Sequence, residues 1–358
     1  MKILDLYIIR KFLGTFFFTI TLIIMVSVVF DFSEKVDDFI EKQAPLRAIM
    51  FDYYLNFIPY FANLFSPLFI FIAVIFFTSR MASNTEIVAI LSSGVGFPRL
   101  LRPYMLSALV LASTSFVLNN WVIPPANAKR LAFEDIYIHD PFYFSGKNIH
   151  RQISPGTFIY FESYNAQVDI GHRFTLEKIE HEQLTFKLSG DFARWDTTRN
   201  LWTVENFREH IFDGTHETLR EGSRLDTVFD FFPGDFKMRD NNVETMDYGA
   251  LNSFINEEKM RGSSKVEIYE VEKYKRMVFP FATFILTALA VALASRKVRG
   301  GIGLHIGLGM LIGFTYILFM QVFTTFAIQG GIPPMIAVWI PNVIYGLLAL
   351  TLLRLAPK

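Results

Sequence analysis

Apolar residues gather in six runs, at about 12–32, 51–77, 104–123, 277–294, 303–326 and 335–353. Each approaches the roughly 20 residues a helix needs to cross the hydrocarbon of a bilayer. Pro59 and Pro67 predict a kink in the second run, and Pro341 lies in the sixth. The polar segment between the third and fourth runs has another rhythm. Leu184, Phe186 and Leu188 alternate with polar neighbours, as do Trp202 and Val204, which predicts strands. Strands are expected at about 142–150, 157–163, 173–180, 183–188, 201–212 and 217–226. Turns are expected at Asn165, Gly171, Gly190, 197–200, Asp213-Gly214 and Gly222. That spacing predicts a sandwich, jelly roll or curled sheet. A helix over 246–260, ended by Gly262, and a charged stretch, 265–276, lead back to the fourth run. The fold class is a polytopic α-helical membrane protein of six spans with an inserted all-β domain. Its parts are 1–123, 124–265 and 266–358.

The connection between the second and third runs, TSRMASNTEIVAILSSGVGFPRLLRP, is too polar for a membrane and too apolar for a plain loop. Ser83 to Glu86 fits a capping box, with Ser83 as N-cap and Glu86 at N3. Ile87, Val88, Ile90 and Leu91 form an aliphatic ridge, and Gly94 supplies a stop. A short helix over 84–93 is predicted. It is too short to hold in water alone, so it must pack against something.

Charge orients the chain. One set of short loops and termini carries Lys2, Arg10, Lys11, Arg80, Arg99, Arg102, Arg296, Lys297, Arg299, Arg354 and Lys358. The other set carries Lys35, Lys42 and Arg47. The positive-inside rule then predicts cytoplasmic termini, a cytoplasmic short helix and an external segment at about 124–275. A helix so placed suggests docking of a soluble partner; Glu86 then either only closes the capping box or also makes a salt bridge to a partner arginine, with Arg80 flanking the helix. The net charge of zero gives no sign of nucleic-acid binding. The first run is full length and lacks a small-residue cleavage pattern, so it reads as a retained span.

The chemistry of catalysis is missing. There is no cysteine, hence no disulfide or thiolate site, and the seven histidines show no metal-ligand spacing. No P-loop, GxSxG or GxGxxG motif occurs. Asp31, Glu34, Asp37, Asp38 and Glu41 surround Lys35 and Lys42 at the end of the first run. Such a rim is a solvated helix end, or the edge of a gate that handles a charged lipid head group through lysine or a carboxylate-held cation. Gly303 and Gly307, with Gly309 and Gly313, form two GxxxG spacings for close helix approach. His305, near the inner end of the fifth run, is a proton relay or simply packed.

Three spans, an outer β domain, three more spans and RMASNTEIVAILSSG in the inner turn resemble the lipopolysaccharide-export permease family of the LptF/LptG type. FPFATFILTALAVAL, the basic turn at Arg296, Lys297 and Arg299, GLGMLIGF, and Pro333-Pro334 followed by Trp339 to Asn342 extend the likeness through the carboxy-terminal third. The resemblance implies a transport subunit with no catalysis of its own and a periplasmic β domain of jelly-roll type. It implies an inner-membrane ABC exporter of two permease chains on an LptB-like ATPase dimer, which holds ATP and magnesium. Glu86, Ile87, Ile90, Leu91 and Arg80 would couple to the ATPase. Spans one and five would form lateral gates for lipopolysaccharide, here Lys35, Lys42, Asp31, Glu34, Gly303 and Gly307. LptC- and LptA-like jelly rolls would receive the lipid by strand addition. The carboxylates around Lys35 and Lys42 depart from the family pattern. Rival readings are a mechanotransmission subunit that carries no lipid and a membrane-anchored lipid-modifying enzyme.

Overall fold

A computed structural model describes residues 3–138, 145–214, 216–236, 240–263, 265–296 and 301–355. Six helices are long and apolar enough to cross a membrane: Ile3–Glu41, Leu46–Ser83, Phe97–Tyr137, Val266–Ala294, Gly303–Ile328 and Pro334–Arg354, hereafter spans 1 to 6. Each contains one of the six apolar runs. Spans 2 and 4 form the centre, with 61% and 56% of their most apolar stretch buried, against 17% and 22% for spans 1 and 5. Span 1 buries one stripe, Asp5, Ile8, Phe12, Phe16 and Ile20, at the spacing of one helical face. Its other faces leave Phe17, Phe18, Met25, Val29 and Phe30 exposed.

Both Pro59 and Pro67 lie inside continuous helix. The turns before Pro59 and before Pro124 widen to π-helix, at Ile49–Tyr54 and Leu118–Val122. Such widening rearranges the backbone hydrogen-bond ladder near residues that cannot donate to it. The boundary expected at residue 124 therefore falls within a continuous helix, because the chain passes through Pro124 and Pro125 and stays helical to Tyr137. The helix expected over 246–260 runs Tyr248–Met260.

The chain forms two compact units. One holds Met1–Ile138, Val243–Gly249 and Glu267–Lys358; the other holds His139–Asn242 and Ala250–Val266. In the second, six antiparallel strands pair strictly in chain order: β1 (Ser145–Ser154), β2 (Thr157–Asn165), β3 (Ile170–Glu180), β4 (Gln183–Asp196), β5 (Leu201–Asp213) and β6 (His216–Thr227). The described strands make a meander and not the crossed order of a Greek key. The part of the first expected strand at 142–144 lies outside the described residues.

The strand core is aromatic. Phe161, Phe174, Trp202 and Phe231 are buried together, and the Trp202 indole donates to the Phe231 carbonyl at 3.0 Å. Gly171 and Gly190, expected as turns, lie inside β3 and β4. A Cβ at Gly171 would sit 2.2 Å from the Phe161 ring, and one at Gly190 would sit 2.3 Å from Val204. Their role is to admit a large neighbour. Gly222, the third such case, lies inside β6 against Phe207.

Candidate functional site

The connection between spans 2 and 3 holds a helix at Glu86–Ser92, shorter than the expected 84–93. The predicted capping box does not form. Ser79, Met81 and Ala82 are buried against the bundle, so span 2 stays helical through Ser83. The chain reverses at Thr85, which adopts φ 61° and makes no side-chain cap. Glu86 is therefore the first helical residue, not the third. Gly94 does terminate the helix, with φ +84° and its N–H on the Leu91 carbonyl at 3.1 Å.

The ridge faces inward. Ile87 is 1% exposed within the bundle core, and Ile90 and Leu91 pack against that core. Ile87 is thus closed to a partner, contrary to its place among the expected docking residues. The physical reason is the one that forbade an isolated helix: seven residues hold only by packing. Val88 and Arg80 remain exposed.

Glu86 is already engaged. The Tyr7 hydroxyl of span 1 donates to Glu86 Oε2 at 2.9 Å, and Asn84 Nδ2 donates to Oε1 at 3.3 Å. On the other flank, Arg99 grips Asp5 with both terminal nitrogens, at 2.7 and 2.8 Å. Asp5 is 5% exposed. Sequence reading missed both Tyr7 and Asp5. An acid in an otherwise apolar buried stripe was the available signal for Asp5.

Near the far end of span 1, Asp31 and Lys35 meet across one helical turn at 2.8 Å. Asp31 also accepts from Tyr53 at 3.0 Å and Tyr54 at 3.2 Å. Lys35 bonds the Tyr53 hydroxyl and lies over its ring. Tyr53 itself is buried among Phe39, Phe57 and Phe133. Lys35 is therefore a structural cation in this arrangement, and Glu34 is exposed beside it.

The expected glycine seam divides. Gly309 and Gly313 press on span 2, where an added Cβ would lie 2.4 Å from Ile75 and 2.5 Å from Leu68. Gly303 and Gly307 meet nothing within 4 Å and face outward. His305 is buried, with Nε2 3.0 Å from the Arg296 carbonyl, so it is packed at the end of span 4. Lys297 and Arg299 of the basic turn lie outside the described residues.

A polar knot was not foreseen. Arg276, 4% exposed, donates to the carbonyls of Met246 at 2.6 Å and Val243 at 3.0 Å and to Glu272 at 3.1 Å. Glu244 meets Arg130 at 3.8 Å and Asn127 at 3.4 Å. Burial and the neighbouring Glu272 push the Glu244 carboxyl up to about 7, against the pull of Arg130 and Arg276. The knot borders a cavity of about 320 Å³ whose remaining wall includes Leu64, Phe65, Phe279 and Met320. Among the described residues no three His, Asp or Glu side chains group as metal ligands.

Six helices long and apolar enough to cross a membrane, a helical turn between spans 2 and 3, and a β domain inserted in the chain between spans 3 and 4 define a polytopic membrane protein. The family model of the lipopolysaccharide export system permease LptF/LptG matches residues 6–355, and the chain belongs to that family. It is accordingly a multi-pass inner-membrane protein. It is similar to the lipopolysaccharide export system permease protein LptG of Escherichia coli (strain K12). Identity is 18% over 356 residues, covering 98% of each chain. The LptG protein of Escherichia coli O6:H1 matches to the same extent.

Proposed function

We propose that this chain is one of two permease subunits of an ATP-driven exporter that draws lipopolysaccharide sideways out of the inner membrane. The observation that carries the reading is the placement of Glu86. It stands at the start of a helix held between two spans, in a stretch that leaves Arg80 and Val88 exposed, where a carboxylate can receive an arginine from a soluble ATPase. The nucleotide and its magnesium would sit on that separate, LptB-like ATPase dimer. Both termini would be cytoplasmic and the sheet periplasmic.

Spans 1 and 5 expose most of their apolar surface and would meet the second permease chain at the gates. Gly303 and Gly307 supply the close-approach face. The lipid's phosphates would not be met by Lys35, whose charge Asp31 neutralises and whose amine bonds Tyr53; a differently charged lipid, or a cation bridge at the acidic rim that includes Glu34, fits this chain better. Lipid would pass to LptC- and LptA-like domains by strand addition at β6. β6 is exposed along most of its length, whereas the end of the helix Tyr248–Met260 covers β1 through the Gln152 N–H to Arg261 carbonyl bond at 2.9 Å. Extraction needs energy because each CH₂ brought into water costs about 0.8 kcal/mol.

The test is co-expression with the ATPase and a second permease chain, and ATP hydrolysis in lipid nanodiscs with and without Glu86→Gln. The reading expects co-purification and a mutant whose hydrolysis no longer responds to lipopolysaccharide. Failure of any ATPase to associate with the wild-type pair would end it.

A further inference from the structure

We propose that Asp5 and Tyr7 are positioning residues. They clamp the start of span 1 to both flanks of the short helix, so that motion of that helix is delivered to span 1. The inference rests on the transport reading above and names the route by which coupling would reach the gate.

Span 1 is mostly held by apolar contacts through Ile8, Phe12, Phe16 and Ile20. Such contacts are non-directional and permit sliding. Directional side-chain ties to other elements occur, among its described residues, at Asp5 and Tyr7 and next at Asp31 and Lys35. Those two places are roughly 40 Å apart along the helix at 1.5 Å per residue.

At the first place the tie is stiff. The Arg99 guanidinium forks onto both oxygens of a nearly buried carboxylate, which fixes orientation as well as distance. Arg99 is the third residue of span 3, just after the short helix. Tyr7 reaches the opposite flank at Glu86. The short helix thus stands between two grips that originate within one turn of span 1.

The same carboxylate serves docking and clamping. A carboxylate offers about four acceptor positions, and Tyr7 and Asn84 use two of those on Glu86. An arriving arginine can bind Glu86 without displacing Tyr7. Glu86 then joins the partner to span 1 through one side chain.

The test uses the full complex in nanodiscs. ATPase co-purification, ATP hydrolysis and lipopolysaccharide extracted per ATP are measured for wild type, Tyr7→Phe, Asp5→Asn and Arg99→Lys. Tyr7 is partly exposed, so its loss of one hydroxyl leaves folding intact and carries the test if Asp5→Asn fails to fold. The clamp predicts that the ATPase stays bound and active while lipid extracted per ATP falls about fivefold in Tyr7→Phe and Asp5→Asn. Arg99→Lys keeps the charge without the fork and should fall between these and wild type. A wild-type ratio in both Tyr7→Phe and Asp5→Asn overturns the clamp while the transport reading stands. If wild type itself binds ATPase but extracts no lipid, the transport reading fails and the clamp with it.

Discussion

Replacing Lys35 with methionine separates a structural cation from a lipid ligand. The side chains of Lys35 and Asp31 are 21% and 13% exposed, and their charged atoms are 2.8 Å apart. Removing one partner of a buried pair costs 3–5 kcal/mol in a dry site, and a charge-assisted hydrogen bond is worth about 1.5–3 kcal/mol. Here Tyr53 and Tyr54 continue to donate to Asp31, so the carboxylate is not stranded. The expected loss is near the lower figure, about 2 kcal/mol. Asp31→Asn alone leaves the ammonium beside Tyr53 and should cost a similar amount. The double variant should cost less than the two losses added, with a coupling of about 1–2 kcal/mol. Unfolding midpoints of the detergent-solubilised single chain, without lipopolysaccharide, supply all four corners of the cycle. Full stability of Lys35→Met, or additivity within about 0.5 kcal/mol, would refute the pairing and return Lys35 to the lipid.

Glu244 supplies a pH test. Its ordinary value is 4.5 and its folded value about 7, so the folded chain retains a proton that the unfolded chain releases between those limits. Stability from this group therefore falls as pH rises from 4.5 to 7 and is level above. Glu244→Gln should gain up to about 3 kcal/mol over wild type at pH 8 and little at pH 4.5; a difference in melting point that is constant with pH would contradict this. Gly309→Val and Gly313→Val should each destabilise the isolated chain by roughly 1–3 kcal/mol through forced shifts of Ile75 and Leu68. Gly303→Val and Gly307→Val should leave it intact and weaken co-purification of the second permease chain. A photo-crosslinking residue at exposed Leu219 of β6 should capture a periplasmic partner, and the same residue at Arg151 of β1 should not. Capture at Arg151 alone would reverse the choice of edge.

Much of the architecture was legible because composition and period carry it. Twenty apolar residues in a row have few alternatives to a membrane helix, and the alternation around Trp202 marked a real strand. The glycines misled for a physical reason. Gly171, Gly190 and Gly222 read as turns by residue type, yet each makes room for a ring or branched side chain on a neighbouring strand. That requirement belongs to the pairing register, which a single strand does not reveal. Ser83 looked like an N-cap because its neighbours fit the pattern. The burial that extends span 2 past it lies in tertiary packing. The candidate site was only partly legible: Glu86 was read as the end of a capping box and as the ligand of a partner arginine, whereas the group it bonds here, Tyr7, lies 79 residues away. Lys35 resembled a phosphate ligand until Tyr53, 18 residues on, folded beside it. The Arg276 knot closes onto carbonyls 30 and 33 residues earlier, and backbone acceptors have no sequence signature.

Span 2 packs against span 5 through the two glycines, and this sets a schedule for biosynthesis. About 220 residues separate Ser83 from Gly301, so at about 5–20 residues per second the ribosome needs roughly 10–45 s to supply the missing neighbour. Throughout that interval the most buried helix of the finished bundle stands with one side unpartnered, Leu68 and Ile75 against lipid or an insertion chaperone. The inserted β domain is made in the same interval and can complete its in-order strand pairing before the bundle closes. Nascent chains halted before span 5 should therefore hold a folded sheet together with an open, protease-sensitive half-bundle.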